Sequence, residues 1–149
     1  MIGFMLLRFQ EINKVTPELI SYAKAAVKRG VKALDKGRPG WEEEIDLTQL
    51  DLSSPSFCML GQIYGDFSYG CSALSEAARL AKEIEVGDLD GPARYGFEWP
   101  EAANSEGSGV GYVQPYYSLL TELWTTVIEQ RRQKDVAVER KRRVGRTVV

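Results

Sequence analysis

Residues 41–65 read WEEEIDLTQLDLSSPSFCMLGQIYG, and almost every position is a core hydrophobe or a residue with a specific backbone task. A Pro39-Gly40 stop precedes Trp41. Two Asp-Leu steps, Asp46-Leu47 and Asp51-Leu52, frame a short apolar stretch, and Asp is a natural turn former. Residues 44–53 therefore read as an irregular connector pinned to the core by its leucines, with a short strand as the alternative. Glu42–Glu44 suit a short helical turn. Ser54 then caps a helix over 55–65 with Pro55 at its first position. Phe57, Leu60, Ile63 and Tyr64 share one face of it. Gly61 in mid-helix costs about 1 kcal/mol relative to Ala, so a close helix–helix approach is expected there. The pattern describes a fold nucleus more readily than a reaction centre.

The flanking segments are helical in period. Thr16-Pro17-Glu18 combines a cap, a first-position proline and an acid that complements the helix dipole. Ile20, Ala23, Val27, Val31 and Leu34 follow at spacings of three and four, with Lys24, Lys28, Lys32 and Lys36 on the wet face. Gly37 and Pro39-Gly40 end this helix. Gly65 or Gly70 turns the chain after the second helix. A third helix is expected over 72–84, with Leu74, Ala77, Ala78, Ala81 and Ile84 as a small-residue stripe. Residues 87–92 carry loop chemistry, and Tyr95-Gly96-Phe97 reads as a turn that drops an aromatic into the core. Residues 100–115 read as a loop. From Pro115, the residues Tyr116, Leu119, Leu120, Leu123, Trp124, Val127 and Ile128 trace a fourth helix to about residue 134. Trp41, Trp99 and Trp124 read as core. Residues 1–13 form an apolar N-terminal arm whose period does not separate strand from helix.

These elements predict a mainly α, compact four-helix-type single domain over 1–134, with irregular connectors and a basic C-terminal extension over 135–149. The helix at 115–134 should pack against those at 17–36 and 55–65. A chain of 149 residues is long enough for one domain with its own core.

Charge and residue usage exclude several activities. The net charge of −2 hides an asymmetry, because residues 129–149 hold eight basic and three acidic side chains, a local +5 against −7 for the rest. There is no histidine. Ser-His-Asp and Cys-His nucleophilic machinery lack their base, and most catalytic zinc sites lack a ligand. Gly107–Gly111 (GSGVG) lacks the spacing and following Lys-Ser or Lys-Thr of a phosphate loop. Glu42–Glu44, Asp46 and Asp51 read as capping and solvated acids rather than a metal or acid–base cluster. Cys58 reads as a small buried hydrophobe rather than an activated nucleophile. No cofactor, no metal and no enzymatic activity are expected. The start MIGFMLLRFQ is too short for a secretory or membrane-spanning segment, so a cytoplasmic location with reduced thiols and no membrane partner is expected.

The functional content lies in the basic C-terminal residues Arg131, Arg132, Lys134, Arg140, Lys141, Arg142, Arg143 and Arg146. They suit contact with a partner or with nucleic-acid phosphates. No aromatic accompanies them to stack bases.

Pro39-Gly40-Trp41, Ile45-Asp46-Leu47, Leu50-Asp51-Leu52, Cys58-x-Leu60-Gly61-Gln62-x-x-Gly65, Tyr95-Gly96-Phe97 and Leu120-x-x-x-Trp124-x-x-x-Ile128 together resemble a group of small actinobacteriophage and prophage proteins of no established activity. The similarity covers roughly residues 30–132 and leaves out the N-terminal arm and the basic tail. It implies a phage or prophage accessory protein acting inside a bacterium. The expected role is a non-enzymatic protein–protein interaction with a host or phage protein. The alternative is nucleic-acid binding through the basic tail.

Overall fold

A computed structural model of the chain describes residues 15–80, 91–100 and 113–147. Among the described residues the architecture is mainly α-helical, with four α-helices and no strand. The N-terminal arm, the end of the expected third helix at 81–84, residues 87–90 of the expected 87–92 loop and the GSGVG segment lie outside the described residues.

Helix α1 spans Pro17–Gly37. Its start follows from sequence chemistry: the Thr16 hydroxyl accepts from the Leu19 N–H at 3.3 Å, and Pro17 occupies the first turn. Thr16→Ala should cost about 1 kcal/mol in urea unfolding, the usual value of a lost N-cap. Ala23, Ala26, Val27, Gly30, Ala33 and Leu34 face the interior. Gly40, with φ +85°, then reverses the chain into a 3-10 turn over Trp41–Glu44. Only a residue without a Cβ enters that conformation at no cost. The Trp41 ring is fully buried, and its Nε1–H donates to Asp35 Oδ1 at 2.9 Å.

Beside this turn, Arg38 forks onto Glu44 through Nε (3.0 Å) and Nη2 (2.8 Å). The guanidinium holds the Glu44 carboxyl below its ordinary range, chiefly by hydrogen bonding and then by charge. A folded-state pKa below the unfolded one gives a contribution that is complete above the unfolded value and disappears as pH falls through the folded one. Glu44→Gln should therefore flatten the loss of stability on acidification below the ordinary glutamate pKa, read as thermal midpoint against pH. An unchanged acid limb would count against the pair.

The next helix, α2, is shorter than the sequence suggests. It spans Met59–Tyr64, and residues 55–57 form turns ahead of it. Ser54 Oγ does accept from the Phe57 N–H at 3.2 Å, but it caps that turn. The helix cap is Cys58, whose Sγ accepts from the Gly61 N–H at 3.3 Å. Gly61 is needed for a different approach from the one expected. A Cβ there would collide with the Pro55 carbonyl oxygen and lie 2.6 Å from that of Ser56, within the chain's own turn. Helix–helix closeness occurs elsewhere. A Cβ at Gly70 would lie 2.8 Å from Leu60 Cβ, and one at Gly30 would collide with the Tyr95 carbonyl and lie 2.8 Å from Trp124 Cζ2.

Gly65, with φ +90°, ends α2. Helix α3 then covers Phe67–Leu80, beginning five residues ahead of the expected Ser72. Asp66 supplies the missing start signal, its Oδ2 accepting from the Tyr69 N–H at 3.1 Å. Gly70 is thus inside α3 and does not turn the chain. A second 3-10 turn, Gly91–Tyr95, lies on α1, where Arg29 Nε donates to the Arg94 carbonyl at 2.7 Å. It delivers Phe97 into the core, as the Tyr-Gly-Phe pattern predicts.

Helix α4 spans Val113–Thr147 and carries the centre of the core. Trp124 has no exposed surface. It stacks on Phe97 at 5.4 Å and takes Trp41 edge-on at 5.7 Å, and its Nε1–H donates to the Gly96 carbonyl at 2.7 Å. Trp99 meets Tyr116 edge-on at 5.2 Å. Helix α4 packs on α1 as expected, whereas α2 lies chiefly against α3. The connector before α2 reaches α4 instead, through the Leu52 N–H donating to the buried Thr121 hydroxyl at 3.1 Å. The leucines at 50 and 52 are buried, which pins this segment as read from its spacing.

Candidate interaction surface on the C-terminal helix

The basic residues singled out in the sequence divide into two groups. Arg131 and Arg132 are fasteners of the fold. The Arg131 guanidinium lies 2.8 Å from Asp35 Oδ1 and 5.2 Å from the centre of the Trp41 ring. Arg132 Nη2 donates to the Glu42 and Ile45 carbonyls, both at 2.6 Å. Together they bind α4 to the end of α1 and to the 41–45 turn.

From Gln133 onward the helix leaves the body. Every residue from 133 to 145 is exposed, Lys134, Arg140, Lys141, Arg142 and Arg143 among them. The helix nevertheless continues unbroken across residue 134 to Thr147, so the basic extension is the projecting end of α4. At 1.5 Å per residue it reaches about 22 Å past Arg132. Val136, Val138 and Val144 stand in solvent at 55%, 49% and 62% exposure. Arg143 Nε lies 3.6 Å from Glu139 Oε1 one turn back. Arg146 sits in the last turn of the helix. Consecutive helical residues are set about 100° apart, so Arg140–Arg143 fan around the axis and do not form one basic face.

The seam between α1 and α4 opens into a groove of about 1150 Å3. Its walls include the half-buried Val31, Leu123 and Val127, and Lys24, Lys28 and Lys134 stand along it. Leu123 and Val127 fit the core-facing pattern of α4, but the interior takes Leu119, Leu120, Trp124 and Ile128 and leaves these two on the flank. The signal for this surface was the breadth of the apolar stripe, wider than one neighbouring helix covers.

The acids and cysteines have other tasks. Asp46 Oδ1 accepts from the Thr48 N–H (3.0 Å) and hydroxyl (2.6 Å), and Asp51 Oδ1 accepts from the same two groups of Ser53 at 3.0 and 2.6 Å. Glu44 is held by Arg38. These are turn caps and an ion pair, not a convergent cluster. The Cys58 thiol is buried, and burial pushes its pKa up, the opposite of what an activated nucleophile needs. Cys71 is likewise pushed up to about 11 by burial. No helix among the described residues is long and apolar enough to cross a membrane.

No protein-family model, no curated protein and no solved structure matches this chain, so its role is read from the surface that α1 and α4 present.

Proposed function

We propose that this chain is a non-enzymatic interaction protein, a phage or prophage accessory factor that binds a protein of its bacterial host. One observation carries the reading: α4 extends about 22 Å beyond Arg132, the last of its residues fastened to the described body, with three valines in water. A helix exposed on all sides has little to hold it, since tertiary packing supplies most helix stability in proteins. A partner would complete it. The cytoplasm of the host is the proposed site of action.

Deleting residues 133–149 should leave the thermal midpoint within a few degrees of the full chain, because the core residues precede Gln133. The same deletion should abolish cross-linked capture of a specific partner from actinobacterial lysate. Capture that survives the deletion, or an intact chain that recovers no specific partner, would sink the reading.

A second reading, nucleic-acid binding, is favoured by the exposure of Lys134 and Arg140–Arg143. It requires a steep salt dependence, set by the number of phosphates neutralised. A gel shift at low salt that disappears on deletion of 135–149 supports it. No shift with the intact chain removes it.

A further inference from the structure

Taking the chain as an interaction protein, we infer that the α1–α4 groove and its continuation along the projecting end of α4 bind an acidic amphipathic helix of the partner. Leu123, Val127, Lys134, Val138 and Lys141 recur at spacings of four, seven, four and three, and so lie along one line of α4. The line starts on the groove wall, half-buried, and emerges into solvent beyond Arg132, where Lys134, Val138 and Lys141 are exposed. From Leu123 to Lys141 it is about 27 Å long, the length of an eighteen-residue helix. Apolar contacts at three- and four-residue spacing are what a helix laid in a groove uses.

Charge selects the partner's other face. Lys24 and Lys28 stand on the α1 side and Lys134 and Lys141 on the α4 side. Among the described residues, the acids of the same groove are Asp35, Glu42 and Asp135. Asp35 is already engaged by Arg131 and by the Trp41 Nε1–H. Among the described residues, the cations left along the groove and its continuation, Lys24, Lys28, Lys134 and Lys141, therefore outnumber the acids Glu42 and Asp135, and a helix bearing glutamate or aspartate beside its leucines complements them. A phosphodiester backbone would match the lysines but gain nothing from Val31, Leu123, Val127 and Val138, and no aromatic on this line stacks a base.

The test is fluorescence anisotropy of a labelled eighteen-residue synthetic peptide, with leucines at three- and four-residue spacing and glutamates elsewhere, titrated with the full chain. Its lysine-for-glutamate counterpart and a labelled DNA duplex serve as competing probes. The acidic peptide should bind in the micromolar range and the lysine peptide at least about tenfold more weakly, a difference of about 1.4 kcal/mol. Val127→Glu and Lys134→Glu should each weaken the acidic peptide at least about tenfold, and Lys134→Arg should retain it. Val138→Glu, lying beyond the packed body, tests the same line with no risk to folding. Glu76→Lys on α3 should change nothing. Absent binding, equal binding of both peptides, or indifference to Val127→Glu and Val138→Glu overturns the inference. Displacement of the peptide by duplex, with tighter duplex binding, overturns it in favour of nucleic acid. A lysate partner that cross-links to residues 133–147 yet ignores Val127→Glu and Val138→Glu leaves the interaction role standing and removes this groove.

Discussion

Trp124→Ala should cost about 4 kcal/mol in urea unfolding and lower the thermal midpoint by roughly 10 °C. Three neighbours lose their partner at once: Phe97 its stacking surface, Trp41 its edge contact, and the Gly96 carbonyl its indole donor. The cavity cannot close easily, because its surroundings are held by other bonds, Trp41 by Asp35 and the Gly96–Phe97 turn by backbone bonds to the Ala93 and Pro92 carbonyls. Against a typical total of about 5–15 kcal/mol, such a loss takes a large share of the stability. Trp124→Phe separates the contributions. It keeps an aromatic beside Phe97 and loses the Gly96 bond, at about 1–3 kcal/mol for a buried carbonyl left without its donor. A loss under about 1 kcal/mol for the alanine variant would show that the ring is not the centre of the core.

Arg132→Ala should destabilise the protein by about 2–3 kcal/mol, whereas Arg140→Ala should stay within about 0.5 kcal/mol of the parent. Both lie in one string of basic residues and differ only in surroundings. Arg132 reaches the Glu42 and Ile45 carbonyls with one charged nitrogen, and truncating it leaves both without that donor and α4 unfastened from the 41–45 turn. Arg140 is exposed on the projecting helix. Equal stability of the two variants, measured by urea unfolding, would mean that Arg132 is a surface cation like the rest. In the capture experiment the order should reverse, with loss of projecting-helix cations weakening the partner at unchanged midpoint.

Helix α1 was legible almost residue by residue. A cap, a proline at the first position, an apolar repeat and a glycine stop are all local signals, and each acts within one turn of the chain. Trp41, Trp99 and Trp124 are buried in keeping with their reading as core, whereas Phe57, read on the same face as Leu60 and Ile63, is 46% exposed because the helix begins only after it. The start of α2 was not. Ser54-Pro55 satisfied every local rule, yet the turn at 55–57 and the thiol cap at Cys58 prevailed because Gly61 admits the Pro55–Ser56 backbone against the helix. Asp66 caps α3 ahead of the expected Ser72, and of the two candidate turns, Gly65 and Gly70, Gly65 ends α2 while Gly70 lies against Leu60 within α3.

The candidate surface was legible by half. Its cations stand out in the sequence as a run, and Lys24 and Lys28 as a four-residue repeat. Which cations fasten the fold did not follow from the run, because Arg131 and Arg132 are claimed by Asp35, Trp41 and two carbonyls brought close only by folding.

By itself the sequence determined the helical class, the caps and breaks of α1 and an acidic body with a basic end, all of which rest on contacts between near neighbours or on composition. The tertiary structure decided which flank of α4 stays uncovered, which arginines serve the core, and that the basic end continues as helix. Those outcomes depend on how α1, α4 and the 41–45 turn meet, across separations of about ninety residues that no local rule spans.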